Sequence, residues 1–426
     1  MPQNPYVAFR KYSVTLWEII DIFKCGFHVG SPGILIRDMK FIHTSDWHLG
    51  HVIYGMDRTE EQKDMLEQMI SIVSEHKPDA FLLSGDVFHT AQPSSSVQTM
   101  FTESVVRLHN AHPQMQIIIT AGNHDSAVRH EIFKTPWKTL NVHMVGTLDN
   151  ADLQSHIIEL PGKGYVIAIP YAHVRNMPDG CRQKLLDMVA ERNMEGLPVV
   201  LMDHTTVSGC DFKGHDQVSE YTVGGIDGIM LEELGSGYDY VALGHIHNPQ
   251  NIGGSDDKVR YSGTPLPVSF DEVFEHSVSL VEIAAHGDNP IITELMIDNK
   301  RPLVSLPAEG YETWENVKAL MESFTSDKIS YIRLNVEVED FLQSDADMTG
   351  SAIAERKGHR FCCINVRRRV RATDGTKVMT VEEFKEQSPM DFAERYLSDS
   401  GLLFDDQMKD LFLMAMDYVN ETKRNA

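Results

Sequence analysis

The sequence predicts an α/β domain followed by a smaller α+β region and C-terminal helices. Two observations indicate this fold class. Short apolar runs that stop at glycine or polar residues alternate with longer segments of helical periodicity, and the segments 60–75 and 95–109 each place their apolar side chains on one helical face. The predicted buried strands begin near Met39 and continue at 81–83, 116–120, 165–169, 199–202 and 240–243.

The second half of the chain has a looser pattern. A glycine-rich turn at 253–258 separates it from the first strands, and the proline-punctuated stretch 298–310 is typical of a linker. We expect a small α+β domain after this linker and acidic, apolar-striped helices at the end. The predicted elements are strands at 259–262, 278–283, 291–297, 332–338 and 361–370, and helices at 314–324, 390–397 and 404–419.

The chain of 426 residues is acidic, with 62 Asp and Glu against 38 Lys and Arg and a formal net charge of −24. A protein that coats nucleic acid through net charge is basic, so any polyanion site must be local here. Five cysteines, an odd number without zinc-finger spacing, favour a reducing compartment. Since no apolar run reaches the roughly 18 residues of a membrane span, we expect a cytoplasmic protein without membrane attachment.

The first 38 residues stand apart from the rest. Charged residues interrupt their apolar stretches, which makes them a poor signal peptide. Because Met39 opens the first buried strand, we expect residues 1–38 to be an N-terminal extension, either a start-site artefact or a genuine extra helix around 12–23.

Five clusters of metal-ligand residue types follow predicted strands. A single Asp or His at a strand end is usually a cap or a satisfied polar group, but five such ends can converge at one edge of a sheet. A mixed set of nitrogen and oxygen ligands suits a pair of divalent ions such as manganese, iron or zinc. The clusters are Asp46 with His48, Asp86 with His89, Asn123 with His124 and Asp125, Asp203 with His204, and His245 with His247.

In order, the motifs D-x-H, G-D, G-N-H-D, H and G-H-x-H resemble those of the calcineurin-like metallophosphoesterase family. The segments H-T-S-D-W-H-L-G at 43–50 and R-Y-S-G-T-P-L-P-V-S-F-D-E at 260–272 are similar to the SbcD-type nucleases within it. The resemblance is strong over residues 39–283. Beyond them it rests only on the size and order of the two C-terminal segments. One departure is His89, where many bacterial members carry Asp and archaeal and eukaryotic relatives carry His.

The resemblance implies a β-sandwich flanked by helices at 39–298, a DNA-capping α+β domain at 299–378 and a helical partner-docking tail at 379–426. It implies that the tail docks on an SbcC-type coiled-coil ATPase; the alternative is a packed terminal hairpin. It also implies a homodimer through the helix at 95–109. The alternative is that the apolar stripe of this helix packs into the ordinary core of the domain. ATP dependence would come from the partner, because the chain has no P-loop motif.

The resemblance also implies two divalent ions that Asp86 bridges, and manganese is the metal that we expect. His124 would stabilise or protonate the leaving oxygen, with Asp125 holding its imidazole in the useful tautomer, and His89 would orient the scissile phosphate. The implied ligands are Asp46, His48 and His247 for one ion, and Asn123, His204 and His245 for the other.

Two segments are candidates for DNA contact. The segment 262–270, with Ser262 and Thr264, is either an irregular strand connection or, by resemblance, a wall that positions DNA near the metals. Three consecutive arginines either form a solvated strand face or contact the phosphate backbone and supply a local positive field. They are Arg367, Arg368 and Arg369.

We expect a two-metal DNA nuclease with double-strand exonuclease and single-strand or hairpin endonuclease activity, acting in DNA repair and recombination. One alternative is a small-molecule phosphodiesterase or phosphatase on the same metal core, although such enzymes rarely need a second domain and a long striped tail. A non-catalytic scaffold is the other alternative, and a scaffold has no physical need for the intact ligand set.

Overall fold

The computed structural model describes residues 38–132, 134–173, 176–214 and 228–369, with residues 390, 408, 409 and 411–413 beyond them. The expected N-terminal extension and nearly all of the expected C-terminal tail therefore lie outside the described residues. Among the described residues, no helix is long and apolar enough to cross a membrane.

Seventeen strands and seven α-helices make up the described part of the chain. The strands are β1 Met39–Thr44, β2 Val52–Ile53, β3 Met56–Asp57, β4 Ala80–Ser84, β5 Gln116–Thr120, β6 Val142–Val145, β7 Ile157–Leu160, β8 Gly164–Ala168, β9 Val199–His204, β10 Tyr240–Gly244, β11 Gln250–Asn251, β12 Val259–Tyr261, β13 Ser277–Ile283, β14 Ile291–Met296, β15 Leu303–Leu306, β16 Tyr331–Val338 and β17 Arg360–Arg368. The helices are α1 Thr59–His76, α2 Ser95–Ala111, α3 Ala127–Ile132, α4 Lys134–Trp137, α5 Cys181–Ala190, α6 Trp314–Ser323 and α7 Ala346–Arg356.

Two six-stranded sheets form a sandwich. The first, called sheet 1, has the order β14-β13-β1-β4-β5-β6, and the second, sheet 2, has the order β11-β12-β10-β9-β8-β7. Neighbours from β1 to β6 in sheet 1, and from β12 to β8 in sheet 2, run parallel. The carboxyl ends of parallel strands lie at one edge of a sheet, which is where α/β folds place their ligands.

The inner faces of the two sheets share one apolar core. Side chains at alternate positions of β1 and β4 meet side chains of β8, β9 and β10, as expected for strands whose side chains alternate between two faces. Helices cover the outer faces: α1 and α2 pack on sheet 1, and α5 packs on sheet 2. The expected sandwich flanked by helices is confirmed.

A smaller sheet with the order β15-β16-β17 packs α6 and α7 around its own core. Two features differ from the sequence-based expectation. Strand β15 lies inside the predicted linker 298–310 and pairs in parallel with β16; it was hidden because only four residues separate Pro302 from Pro307. Helix α7 was not predicted because it buries mostly small residues, Ala346, Gly350 and Ala354 beside Ile353, which give a weak apolar period.

Candidate metal centre

The first polar cluster follows β1. Asp46 and His48 have φ angles of 53° and 44°, in the left-handed region that non-glycine residues rarely adopt. Their backbone amides bond the carbonyls of Gly85 and Asp86 at 3.1 and 3.0 Å, which locks the turn after β1 onto the turn after β4. Both side chains are buried. Strain of this kind is typical of positions that the surrounding structure holds for function.

Asp86 lies at the centre of the cluster. Its φ is 50°, and its Oδ2 is 3.8 Å from His48 Nε2 and 3.6 Å from His204 Nε2. Its Oδ1 accepts the backbone N–H of His124 at 2.9 Å. The carboxylate comes this close to the next turn because residue 122 is glycine: a Cβ there would lie 2.1 Å from Asp86 Oδ1.

The ligands from sheet 2 lie on the other side of Asp86. His204, the last residue of β9, donates from Nδ1 to the Ser84 carbonyl at 2.8 Å, and its Nε2 is 3.0 Å from Asn123 Oδ1. The same amide oxygen is 3.1 Å from His245 Nδ1. The backbone N–H of His245 donates to both oxygens of Asp46 at 3.1 Å. These contacts tie the turns after β1, β5, β9 and β10 together.

His247 completes the cluster. Its Nδ1 donates to Glu272 Oε1 at 2.9 Å, which leaves the Nε2 lone pair pointing at His48 Nε2, only 3.3 Å away. In the same way the Nε2 of His204 faces amide and carboxylate oxygens. Lone pairs that face one another in a buried site need a proton or a cation between them. The donor set therefore suits divalent cations, and the imidazoles of His204 and His247 are each oriented through the other nitrogen.

The electrostatics point the same way. Burial would lower the pKa of His204, but the Asp86 carboxylate raises it to about 9. Burial also acts to lower the pKa of His247, and its bond to Glu272 outweighs this and raises it. Burial raises the pKa of Asp46, and the nearby Asp86 adds to the effect. Without cations the cluster therefore holds extra protons, so cation binding releases them and weakens at low pH.

Three groups have ligand atoms within 4.8 Å of one another. One is His48 with His89 and His124, and the two that share Asp46 are Asp46 with His48 and His247, and Asp46 with Asp86 and His204. Asp46 thus lies within reach of both of these last groups, whereas the resemblance implied only one. The cluster opens on a cavity of about 130 Å³. Its lining includes His48, His51, Asp86, His89, Asn123, His124, His245 and His247.

Comparison with known proteins agrees with this geometry. Residues 39–249 match the model of the family described as calcineurin-like phosphoesterase. With the two sheets and the ligand cluster at their edge, this match decides the family of the segment. Residues 39–249 form a calcineurin-like phosphoesterase domain. All seven predicted metal ligands lie within this phosphoesterase domain.

Curated relatives extend the similarity beyond the phosphoesterase domain. The chain is 29% identical to the SbcD subunit of the nuclease SbcCD from Rhodobacter capsulatus, over 67% of this chain and 75% of that protein. The SbcD proteins of Bacillus subtilis and Escherichia coli K12 are also 29% identical. Those alignments cover 71% and 66% of this chain, and 80% and 75% of the relatives.

Two of the three candidate catalytic residues of the phosphoesterase domain, His124 and His89, line the same cavity. The His124 ring is 4.9 Å from the His48 ring and stacks on His89 at 5.8 Å. One expectation is wrong: Asp125 does not hold the His124 imidazole. Its carboxylate accepts the backbone N–H groups of Gly122, Val87 and Phe88 at 2.9 to 3.0 Å.

The His124 imidazole is oriented instead by a backbone group, because its Nδ1 bonds the His89 carbonyl at 2.9 Å. Asp125 has a different part in the site: it fixes the two turns that carry Asp86 and Asn123 by filling their unpaired amide donors. Asp side chains commonly accept hydrogen bonds from nearby backbone amides. The sequence alone does not show which amides a given Asp will bond.

The candidates for DNA contact differ in their exposure to solvent. Ser262 and Thr264 are fully buried; Ser262 bonds Ser45 at 2.9 Å and Thr264 donates to Glu272 at 2.8 Å. The expectation that these two side chains contact DNA is therefore wrong. Arg367 is exposed, pairs with Glu337 at 2.9 Å and lies over the Tyr311 ring at 4.4 Å. Arg368 and Arg369 are exposed at the end of β17.

Two further residues shape the site: Glu272, which sequence reasoning missed, and His51, which it gave as a surface or core histidine that could touch the substrate. Glu272 bonds a predicted metal ligand from a position 25 residues away. His51 lines the cavity, with its ring 4.7 Å from the His89 ring. A signal for His51 existed, since it follows the first cluster by three residues. No signal marked Glu272 as a partner of His247, because the pairing depends on the fold of the segment 262–272.

Proposed function

We propose that this chain is a metal-dependent DNA nuclease, a double-strand exonuclease and single-strand or hairpin endonuclease that acts with an SbcC-type ATPase in DNA repair and recombination. The observation that carries the proposal is the Asp86 carboxylate, which lies between imidazoles from sheet 1 and sheet 2. The similarity to the SbcD proteins of the nuclease SbcCD supports the substrate and the partner. The reaction is hydrolysis of a phosphodiester.

The proposed ligands divide around Asp86 into two sets. Two divalent ions, which we propose to be manganese, would activate a water and stabilise charge on the attacking and leaving oxygens. A set that mixes carboxylate, amide and imidazole groups supports this choice of metal. Asp46, His48 and His247 form one set, and Asn123, His204 and His245 form the other.

We assign the proton transfer to His124. With its Nδ1 proton donated to the His89 carbonyl, the opposite nitrogen, Nε2, is left to hold or deliver a proton at the leaving oxygen. The His89 ring lies between His124 and His51 on the cavity wall, and we assign it to orienting the scissile phosphate. Both roles need a phosphate seated over the metal ligands.

We retain the proposed domain organisation: a nuclease domain at 39–298, a DNA-capping domain at 299–378 and a docking tail for the ATPase at 379–426. The separate core of the β15–β17 sheet supports a capping domain. A homodimer through α2 would use side chains outside its apolar stripe, because Met100, Phe101 and Val105 pack into the core of sheet 1. We propose a cytoplasmic protein that associates with the nucleoid when bound to DNA.

The test is Mn²⁺-dependent cleavage of single-stranded and hairpin-ended DNA by the purified full-length protein, beside an aryl phosphate monoester and diester. Asp86→Ala is the inactive variant, and Glu282→Gln, which changes a half-exposed acid that pairs with Lys40, is the matched control. DNA cleavage that requires Mn²⁺ and disappears only in Asp86→Ala supports the nuclease. Turnover of the aryl esters alone, with DNA untouched even in the presence of the ATPase, would overturn it in favour of a small-molecule phosphodiesterase.

A further inference from the structure

Glu272 is a buried acid directly behind a proposed metal ligand. Its side chain has no exposed surface. Oε1 accepts the Nδ1 proton of His247 at 2.9 Å, and Oε2 accepts the Thr264 hydroxyl at 2.8 Å and the Val268 amide at 3.3 Å. His276 Nε2 lies 4.0 Å from Oε2. A buried carboxylate is unfavourable unless its oxygens are bonded, and here both oxygens are bonded.

The two halves of the metal centre are therefore supported in different ways. The ring of His204 is oriented by a neutral group, the Ser84 carbonyl at 2.8 Å. The ring of His247 is oriented by the full negative charge of Glu272. A carboxylate on the far nitrogen of an imidazole fixes the tautomer, fixes the ring orientation and makes the near nitrogen a stronger ligand.

We propose that Glu272 is a positioning residue for the half of the centre formed by Asp46, His48 and His247, and that its charge makes this half the tighter of two cation sites. The inference rests on the proposed metal-dependent function and goes beyond it, since it ranks the two sites. Glu272 touches neither the phosphate nor the reacting atoms; it acts through the orientation and basicity of His247.

Thr264 is the third member of the arrangement. Its hydroxyl holds the Glu272 oxygen that does not face His247, and it lies in the segment whose side chains had been expected to contact DNA. This segment of the chain thus supports the proposed metal centre through Glu272, on the side of His247 that faces away from the cation. Because its hydroxyl bonds Glu272 directly, Thr264 belongs to the arrangement under test. The matched control is Glu282→Gln, which removes the charge of a half-exposed acid that pairs with Lys40.

The experiment is calorimetric titration of the metal-free full-length protein with Mn²⁺, for the wild type, Glu272→Gln, Glu272→Ala and the control Glu282→Gln. Glu272→Gln keeps an oxygen for the His247 proton and removes the charge. We expect the tighter of the two binding steps to weaken about 10-fold in Glu272→Gln and about 100-fold in Glu272→Ala, the weaker step to stay unchanged, and Glu282→Gln to resemble the wild type. Thermal unfolding without metal identifies any variant that fails to fold.

A second measurement assigns the weakened step. In a His204→Asn background, which removes the other half of the centre, the remaining step should be the one that responds to Glu272→Gln. Equal weakening of both steps, or no change in either, would overturn the role of Glu272 while leaving the nuclease proposal intact. A wild-type protein that binds no Mn²⁺ would overturn both.

Discussion

The two sheets of the sandwich contribute different chemistry to one site. Sheet 1 presents the proposed oxygen ligands, with Asp46, Asp86 and Asn123 at its strand ends and His48 as its one proposed imidazole ligand. Sheet 2 supplies imidazoles alone: His204, His245 and His247. The centre exists only where the two edges meet, so it depends on the core that holds the sheets together as much as on the ligands.

Backbone strain is divided unequally as well. Three proposed ligands after sheet 1 strands, Asp46, His48 and Asp86, have positive φ angles of 44° to 53°. Sheet 2 has one, His245 at 94°, while His204 continues the regular β9 strand. Each such residue costs roughly 1–3 kcal/mol and persists only where the surrounding structure holds it. Most of the unfavourable backbone conformational energy at the site therefore lies in sheet 1. Sheet 2 presents its first imidazole from an ordinary strand position.

The largest effect is expected from Asp86→Asn, because Asp86 is the group that ligands of both sheets face. The substitution keeps the shape and removes the charge that draws two cations together. We expect loss of Mn²⁺ binding and of nuclease activity together, measured by calorimetry and single-turnover cleavage. Two Mn²⁺ ions still bound by Asp86→Asn would mean that the sheets do not share a bridging ligand.

His124→Ala separates chemistry from metal binding. His124 lies outside the two groups that share Asp46, although it forms a third group with His48 and His89. We expect both Mn²⁺ ions to remain bound, while the single-turnover cleavage rate falls about 10²- to 10⁴-fold, the usual range for loss of a general acid. The same calorimetric titration is the control. An unchanged rate would remove His124 from the mechanism and leave proton delivery to solvent.

The sequence predicted which side chains converge because Asp and His at strand ends have a local signature; their role as metal ligands stays a prediction. Asp and His at a spacing of two, immediately after a buried run, identify both the element and its end, and all five clusters do meet at one edge. The core strands were predictable for the same reason, since each is a short apolar run bounded by polar residues. The elements that were missed, such as β15 and α7, lack a strong period.

The partners of the ligands were not predictable in the same way. Glu272 and the Ser84 carbonyl each orient an imidazole, yet they lie 25 and 120 residues from it. The role of Asp125 was misassigned because adjacency to His124 in sequence suggested contact, whereas the carboxylate turns toward amides of the β4 turn. Contacts of this kind depend on turn geometry, which residue types alone do not specify.

The contact between the sheets can be tested through pH. His43 on β1 is buried against β10, where its ring bonds the Tyr240 hydroxyl at 2.9 Å and the Leu243 carbonyl at 3.2 Å. Burial, with the charge of Arg260 adding to it, lowers the pKa of His43 from 6.5 to about 3. Between these two values the unfolded chain binds a proton that the folded chain refuses, so stability falls as the pH decreases below 6.5.

We therefore expect His43→Gln to flatten the decrease in unfolding free energy below pH 6.5 by up to about 1.4 kcal/mol per pH unit. Urea unfolding of metal-free protein at pH 7.5, 6 and 5 measures this slope. His76→Gln, at the end of α1 and away from the sheet interface, is the control. Equal slopes for His43→Gln and wild type would show that His43 is not a neutral buried link between the sheets.

The smallest expected effect is that of Tyr240→Phe, which removes one hydroxyl between the sheets and leaves the ring contact with Phe41 at 5.5 Å. With Nε2–H of His43 donating to Leu243, Nδ1 loses its only donor among the described residues. The variant should lose about 1 to 3 kcal/mol of unfolding free energy. Tyr238→Phe, on the outer side of sheet 2, is the control. Mn²⁺ affinity should stay unchanged, since the apolar core still holds the two edges together; a weaker affinity would mean that this hydrogen bond helps to set the distance between the ligands of the two sheets.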